Sequence, residues 1–161
     1  MSSIRPIRNS ARAIIMNQNQ VLLTKNMDEF GEFYMFPGGG QDKGEPLSDT
    51  VIRECNEEVG LQVVPGDMVC IREYIGNNHE FAEWDHDFHQ VEFYFKCKPI
   101  IEEAQLIMNC VPTNPDNDQI GVEWMDLSQL KSIRIYPKTL AHMFSDYGID
   151  GLPSFYVGDV N

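Results

Sequence analysis

Apolar residues fall in short runs separated by polar, turn-forming stretches. Residues 11–16 (ARAIIM) and 21–25 (VLLTK) flank Asn17-Gln18-Asn19-Gln20, a pattern that predicts a hairpin. Strand character returns at 33–36 and is expected to stop at Pro37-Gly38-Gly39-Gly40, where a proline and three glycines disfavour regular pairing. Residues 46–59 have no internal Gly or Pro after the opening Pro46, and Gly60 follows the last apolar position, so a helix is predicted there. Further strands are predicted at 68–75, 88–98 and 120–125. The second of these alternates Val91, Phe93, Phe95 and Cys97 with Gln90, Glu92, Tyr94 and Lys96. Residues 76–87 and 112–119 read as polar loops, 127–130 as a helical turn, 137–144 as a helix opened by its proline, and 154–157 as an edge strand. Strands interspersed with two unequal helices predict an α/β protein, a mixed β-sheet with helices packed on it.

Composition narrows the class. The chain has 161 residues, 42% hydrophobic, which suits one domain over 1–161 with a real core and excludes a disordered or collagen-like chain. Twelve Lys and Arg against 25 Asp and Glu give a net charge of −13, so a nucleic-acid polymer or an anionic membrane is not an expected partner. An anionic ligand would need a cation between it and the protein. Cys55, Cys70, Cys97 and Cys110 form no C-x-x-C pair and read as reduced, mostly buried thiols. The opening residues have no apolar signal core, and no window reaches the 18 or more apolar residues of a membrane span, so a soluble, cytoplasmic protein is expected.

On the predicted helix, Leu47, Val51, Ile52, Cys55 and Val59 share an arc of roughly 140° and form the expected core face. Glu54, Glu57 and Glu58 crowd an adjoining arc at i, i+3 and i+4, where like charges repel. Glu58 lies at the edge of the buried stripe, where a lone charge is costly. Three hard oxygen donors on one face suit Mg2+ or Mn2+, which keep some waters and accept phosphate oxygens as further ligands.

Gly39, five residues, Glu45, seven residues, then Arg53-Glu54-Cys55-Asn56-Glu57-Glu58-Val59-Gly60-Leu61 resembles, position for position, the 23-residue box of the Nudix hydrolases, the MutT-like family. Phe36-Pro37-Gly38 before the box and Glu123-Trp124 after it are similar to the same family. The resemblance implies a Nudix fold, with a mixed sheet sandwiched between helices. It also implies a Mg2+-dependent pyrophosphohydrolase, with Mn2+ as a possible substitute, acting on a nucleoside diphosphate linked to another moiety: a nucleotide sugar, ADP-ribose, a dinucleoside polyphosphate or a nucleoside triphosphate. A MutT-type house-cleaning triphosphatase and a non-catalytic nucleotide sensor are the alternatives, and a homodimer is compatible with the family. Carried over residue by residue, the resemblance makes Glu57 and Glu58 metal ligands and Glu54 either a ligand or the base that activates water. Gly38 would offer its carbonyl, Arg53 would hold the carboxylates, and Gly39, Glu45 and Gly60 would be structural. Asp118, with Asp116 close by, is the counterpart of a further acidic ligand before the Glu-Trp pair, with Glu80 or Glu83 as substitutes.

Other signals are weaker. His79, His86 and His89 lie close together, but His79-Glu80-Phe81-Ala82-Glu83 lacks the second histidine of a zincin helix. Asp116-Asn117-Asp118 imitates the start of an EF-hand loop, yet its fifth and twelfth positions are Ile120 and Leu127. Phe33, Tyr34, Trp84 and Phe88 flank loops and are candidates to stack a nucleobase or to pack the core. Lys25 and Arg72 are candidates to reach phosphate oxygens.

Overall fold

The computed structural model describes residues 4–102, 105 and 110–161. The predicted hairpin is present as β1 (Arg8–Asn17) and β2 (Gln20–Asp28), but the two strands pair only beside the turn, through Met16 with Val21 and Asn17 with Gln20. Beyond that point they part, because each has other partners. β1 runs parallel to β6 (His89–Pro99) and antiparallel to β4 (Gly38–Gly40), whereas β2 pairs with β3 (Gly31–Met35) and with β7 (Gln119–Asp126). β5 (Val63–Ile75) lies beside β6, with β9 (Tyr156–Asp159) at its outer edge, and β8 (Ile135–Tyr136) extends β3. The result is one mixed sheet with order β8-β3-β2-β1-β6-β5-β9.

Period-two alternation along β1 and β2 splits their apolar residues between the two faces. Ala11, Ala13, Ile15 and Leu22 point to one face, where Val51, Cys55 and Val59 of α1 (Leu47–Val59) cover them. Ile14, Val21 and Leu23 point to the other, against Leu140, Ala141 and Phe144 of α3 (Lys138–Tyr147). The sheet is thus held between two helices, as the α/β reading expects. No helix among the described residues is long and apolar enough to cross a membrane.

The sequence reading has no strand at Ile135–Tyr136 and starts β5 at 68 rather than at Val63, and four further features differ from it. Pro37 ends β3, but Gly38, Gly39 and Gly40 pair with Arg12, Ala11 and Ser10 as β4, because without side chains they press directly onto β1. A Cβ on Gly38 would lie 2.2 Å from the Ala11 carbonyl oxygen, and its φ of +148° disfavours any other residue. Ile52 is more than a third exposed rather than on the core face, and Thr50 is buried instead, its hydroxyl donating to Glu45 Oε2 at 2.8 Å. On β6 the polar face is the more deeply buried: Gln90, Glu92 and Tyr94 are buried, while Val91, Phe93 and Phe95 are half-buried. The segment 76–87 also carries a 3-10 turn at Gly76–Asn78 and a short helix α2 (Ala82–Asp85).

Candidate active site

α1 begins after Pro46 and ends at Gly60, whose left-handed φ of 69° closes the helix with its N–H donating to the Asn56 carbonyl. Between these ends, Arg53 organises the acidic face. Its Nε donates to Glu45 Oε1 at 2.9 Å, its Nη2 to Glu45 Oε2 at 3.1 Å and to the Gly40 carbonyl at 3.0 Å, and its Nη1 to Glu54 Oε1 at 2.9 Å. Nη1 also lies 3.6 Å from Glu57 Oε2. A planar guanidinium suits this work because its donors are fixed in one plane and remain charged. The Arg53 bonds, helped by the Asp42 N–H and the Thr50 hydroxyl, lower the Glu45 pKa to about 2.

Glu58 is only 5% exposed, and its Oε2 accepts from the Gly38 N–H at 2.9 Å. Burial pushes its carboxyl up to about 8. Arg12 and the Gly38 N–H oppose this, and the charges of Glu54 and Asp116 add to it. Burial likewise raises Glu54 above the usual carboxylate range, with Arg53 pulling against it and Glu57 adding to it. Gly39 lies directly against the Glu54 carboxylate: a Cβ there would fall 2.4 Å from Oε1, so only glycine lets this strand pass.

Among the described residues, no three His, Cys, Asp or Glu side chains converge as a ready cation cage. Glu54 is turned to Arg53 and Glu58 to the Gly38 N–H, while the Gly38 carbonyl accepts from Arg12 Nη1 at 3.1 Å. The donor chemistry nevertheless fits a hard cation. Glu54 and Glu58 are both disfavoured as anions by burial, and a divalent ion would stabilise that form.

The loop 112–119 docks on the C-terminal end of α1. Thr113 and Asn114 N–H groups donate to the Glu57 carbonyl at 3.0 and 2.9 Å, and Gln119 Nε2 donates to the Glu58 carbonyl at 2.6 Å. Of its two aspartates, Asp116 is the one whose charge acts on Glu58. Both aspartates have exposed side chains, and the Asp118 carbonyl accepts from the Met27 N–H of β2. Glu83 is exposed on α2.

Beside the carboxylates lies a cleft of about 250 Å³. Its floor is a buried charge cluster. Glu92 accepts from Arg12 Nε at 2.8 Å and pairs with Arg72 Nη1, and Arg12 continues to the Phe36 and Gly38 carbonyls. Burial alone would raise Glu92, but the two guanidinium groups outweigh it and hold the carboxyl below its usual range. Aromatic rings of Phe81, Phe88 and Tyr136 line the sides.

Of the candidates for substrate contact, Arg72 and Phe88 line this cleft. The others do not. Lys25 is paired with Glu32 at 3.2 Å, Tyr34 is buried in the core near α3, and Trp84 is 60% exposed against Phe81. Phe33 packs edge-on against Tyr136, with the Arg134 guanidinium 5.1 Å from its ring centre. His79 and His89 are engaged elsewhere, by Asp159 at 2.6 Å and by Glu73 at 2.8 Å. Arg12, Glu92, Phe81 and Tyr136 were missed. The signal available for Arg12 was a single charge inside the apolar run ARAIIM, which forces a buried partner.

The family model described as the NUDIX domain matches residues 6–146. The chain is 35% identical to the RNA pyrophosphohydrolase of Pelagibacter ubique (strain HTCC1062) over 60 residues, 37% of this chain and 38% of that protein. It is 29% identical to nucleoside diphosphate-linked moiety X motif 6 of Xenopus laevis over 123 residues, 74% of this chain and 50% of that protein. The chain therefore spans half or less of the length of these two relatives. The MutT NUDIX hydrolase of Burkholderia pseudomallei shares the fold, with a TM-score of 0.65 at 20% identity over 85% of this chain and 96% of that one. Since the match begins just before β1, takes in β4 and the whole of α1, and ends within α3, the chain belongs to the NUDIX family.

Proposed function

We propose that this chain is a divalent-cation-dependent hydrolase of phosphoanhydride bonds that cleaves a nucleoside diphosphate linked to a further moiety. The supporting observation is the α1 carboxylate group, in which Glu54 and Glu58 are desolvated beside Glu57 and one arginine braces Glu54 against Glu45. A solvated acidic face would bury none of these groups. The relatives' names, a pyrophosphohydrolase and a nucleoside diphosphate-linked moiety X protein, agree with this chemistry.

Glu57 and Glu58 would hold Mg2+, with Asp116 at the loop side and Glu54 either a further ligand or the proton acceptor. The ion supplies charge neutralisation at the phosphates and lowers the pKa of water. The protein's own groups do the rest. Arg53 fixes the orientation of Glu54, so that its free oxygen stays available to take a proton from water. The Gly38 N–H fixes Glu58. Arg12 and Arg72 place positive charge at the floor of the cleft, where an anionic substrate lies against aromatic walls.

Incubation with ADP-ribose, nucleotide sugars, dinucleoside polyphosphates and nucleoside triphosphates, in Mg2+ or in EDTA, tests this reading. Hydrolysis in Mg2+ that stops in EDTA supports it, and product identification shows which bond breaks. Pyrophosphate release from triphosphates alone would point to the MutT-type activity, whereas ligand binding with no product would make the chain a sensor.

A further inference from the structure

The loop 77–85 forms one side of the cleft through Phe81 and Asp85, yet no residue in it is buried. Its backbone hydrogen bonds stay inside the segment 76–88: the His79 N–H donates to the Gly76 carbonyl, Ala82 to His79, and Trp84 and Asp85 to Phe81. At its far end, Tyr74 Oη donates to Asp85 Oδ2 at 2.9 Å. Among the described residues, the only hydrogen bonds that leave 77–84 come from Asn78 and His79, and both end on Asp159 of β9. Asn78 Nδ2 donates to Oδ2 at 2.8 Å and His79 Nε2 to Oδ1 at 2.6 Å, while Oδ1 also accepts from the Ile75 N–H at 2.9 Å. Burial alone would raise the Asp159 carboxyl, but Asn78, His79 and the Ile75 N–H outweigh it and hold the group below its ordinary range.

These bonds fix a wall of the cleft that Asp159 itself does not line. The His79 ring, held by Asp159, stacks on Tyr74 of the cleft, with 5.3 Å between ring centres and 18° between planes. Two residues on, Phe81 lines the cleft and meets Tyr136 of β8 edge-on at 5.5 Å. A loop without buried side chains has little else to hold it and opens at small cost. β9, by contrast, is anchored at the cleft floor. Arg72 Nε donates to the Val160 carbonyl at 2.7 Å, and Arg72 Nη2 to Asn161 Oδ1 at 3.2 Å. A ligand that meets a wall already in place does not bear the entropy of ordering it.

We propose that Asp159 is a positioning residue that latches the loop 77–85 against the sheet, so that the Phe81 wall of the cleft stands in place before a ring-bearing ligand arrives. This inference rests on the proposed hydrolase function only in taking the cleft as the place of the substrate.

Amide hydrogen exchange in EDTA, without ligand, reads the latch directly. Asp159→Asn replaces one accepting oxygen by a donor, which opposes Asn78 on one side or His79 on the other. It is expected to speed exchange over 77–85 at least threefold while α1 and β6 stay within twofold. Asn78→Ala breaks one bond from the loop side and is expected to act in the same direction. Tyr156→Phe removes a different bond of β9, from Tyr156 Oη to Glu73 Oε1 at 2.6 Å, and should leave exchange over 77–85 within twofold. In calorimetric titration in EDTA, Asp159→Asn is expected to weaken ADP at least fivefold and inorganic pyrophosphate less than twofold. In Mg2+, KM for the substrate that is turned over should rise at least fivefold with kcat within twofold, whereas a loss of folded protein would lower kcat alone. Unchanged exchange over 77–85, faster exchange throughout the chain, or ADP bound no more tightly by the wild type than by Asp159→Asn would overturn the latch even if Mg2+-dependent hydrolysis is found. Local release with weaker ADP binding and no turnover of any substrate would leave the latch standing and remove the hydrolase reading.

Discussion

Glu58→Gln separates the stability of the site from its use. The carboxyl is raised from its ordinary 4.5 to about 8 because burial penalises its charge. The folded state therefore holds this proton more tightly than the unfolded chain does. Stability associated with the protonated form is fully present below pH 4.5 and is lost as pH rises toward 8. Each pH unit in that window removes about 1.4 kcal/mol, so the interval from pH 5 to pH 7.5 removes about 3 kcal/mol. Glutamine is nearly isosteric, keeps an oxygen for the Gly38 N–H, and has no proton to lose. Its amide adds a fixed packing and hydrogen-bonding cost that does not vary with pH. Urea unfolding of both proteins in EDTA at pH 5, 6, 7 and 7.5 is expected to show the variant gaining on the wild type by about 1.4 kcal/mol per unit. Mg2+ at about 100 times its dissociation constant should then return about 2.7 kcal/mol to the wild type at pH 7.5 and little to the variant. Parallel stability profiles for the two proteins in EDTA would refute the claim that burial of Glu58 outweighs the opposing Arg12 charge and Gly38 N–H.

Two other outcomes follow from the same geometry. Glu45 is held near pKa 2 chiefly by Arg53, so its contribution is present above pH 4.5 and is lost as pH falls through about 2. Glu45→Gln should therefore be less stable than the wild type at pH 6, with the gap closing near pH 2 in acid-unfolding curves followed by circular dichroism. Asp116→Asn is expected to weaken Mn2+ affinity and lower turnover at least tenfold, because its charge reaches Glu58, whereas Asp118→Asn leaves both within twofold. Thermal stability should stay nearly unchanged in both, since each side chain is exposed.

The box helix was legible in the sequence because every residue that defines it lies within 23 positions at fixed spacing. Pro46, Gly60 and the apolar stripe of Val51, Cys55 and Val59 each carry a local rule, and all agree with the fold. Ile52 failed that rule because it lies at the edge of the stripe, where Thr50 gained a partner in Glu45 and was buried instead. β4 was hidden because three glycines resemble a break; only the tertiary contact with Ala11 and Arg12 makes them a strand. The cleft was hardest to read. Arg12, Arg72, Glu92 and Tyr136 come from four strands spread over 125 positions, with no spacing that links them. The buried polar face of β6 follows from the same cluster, since Glu92 is buried only because two guanidinium groups meet it.

Binding of Mn2+ followed by electron paramagnetic resonance, in parallel with turnover, tests the role of the α1 carboxylates most directly. The wild type should bind Mn2+, and Glu57→Gln and Glu58→Gln should lose affinity and turnover together. With Glu54 as proton acceptor, Glu54→Gln keeps most of its affinity and loses roughly 10²- to 10⁴-fold in rate; with Glu54 as ligand, it loses both. Wild-type Mn2+ affinity and turnover in all three variants would contradict the assignment of this helix as the catalytic centre.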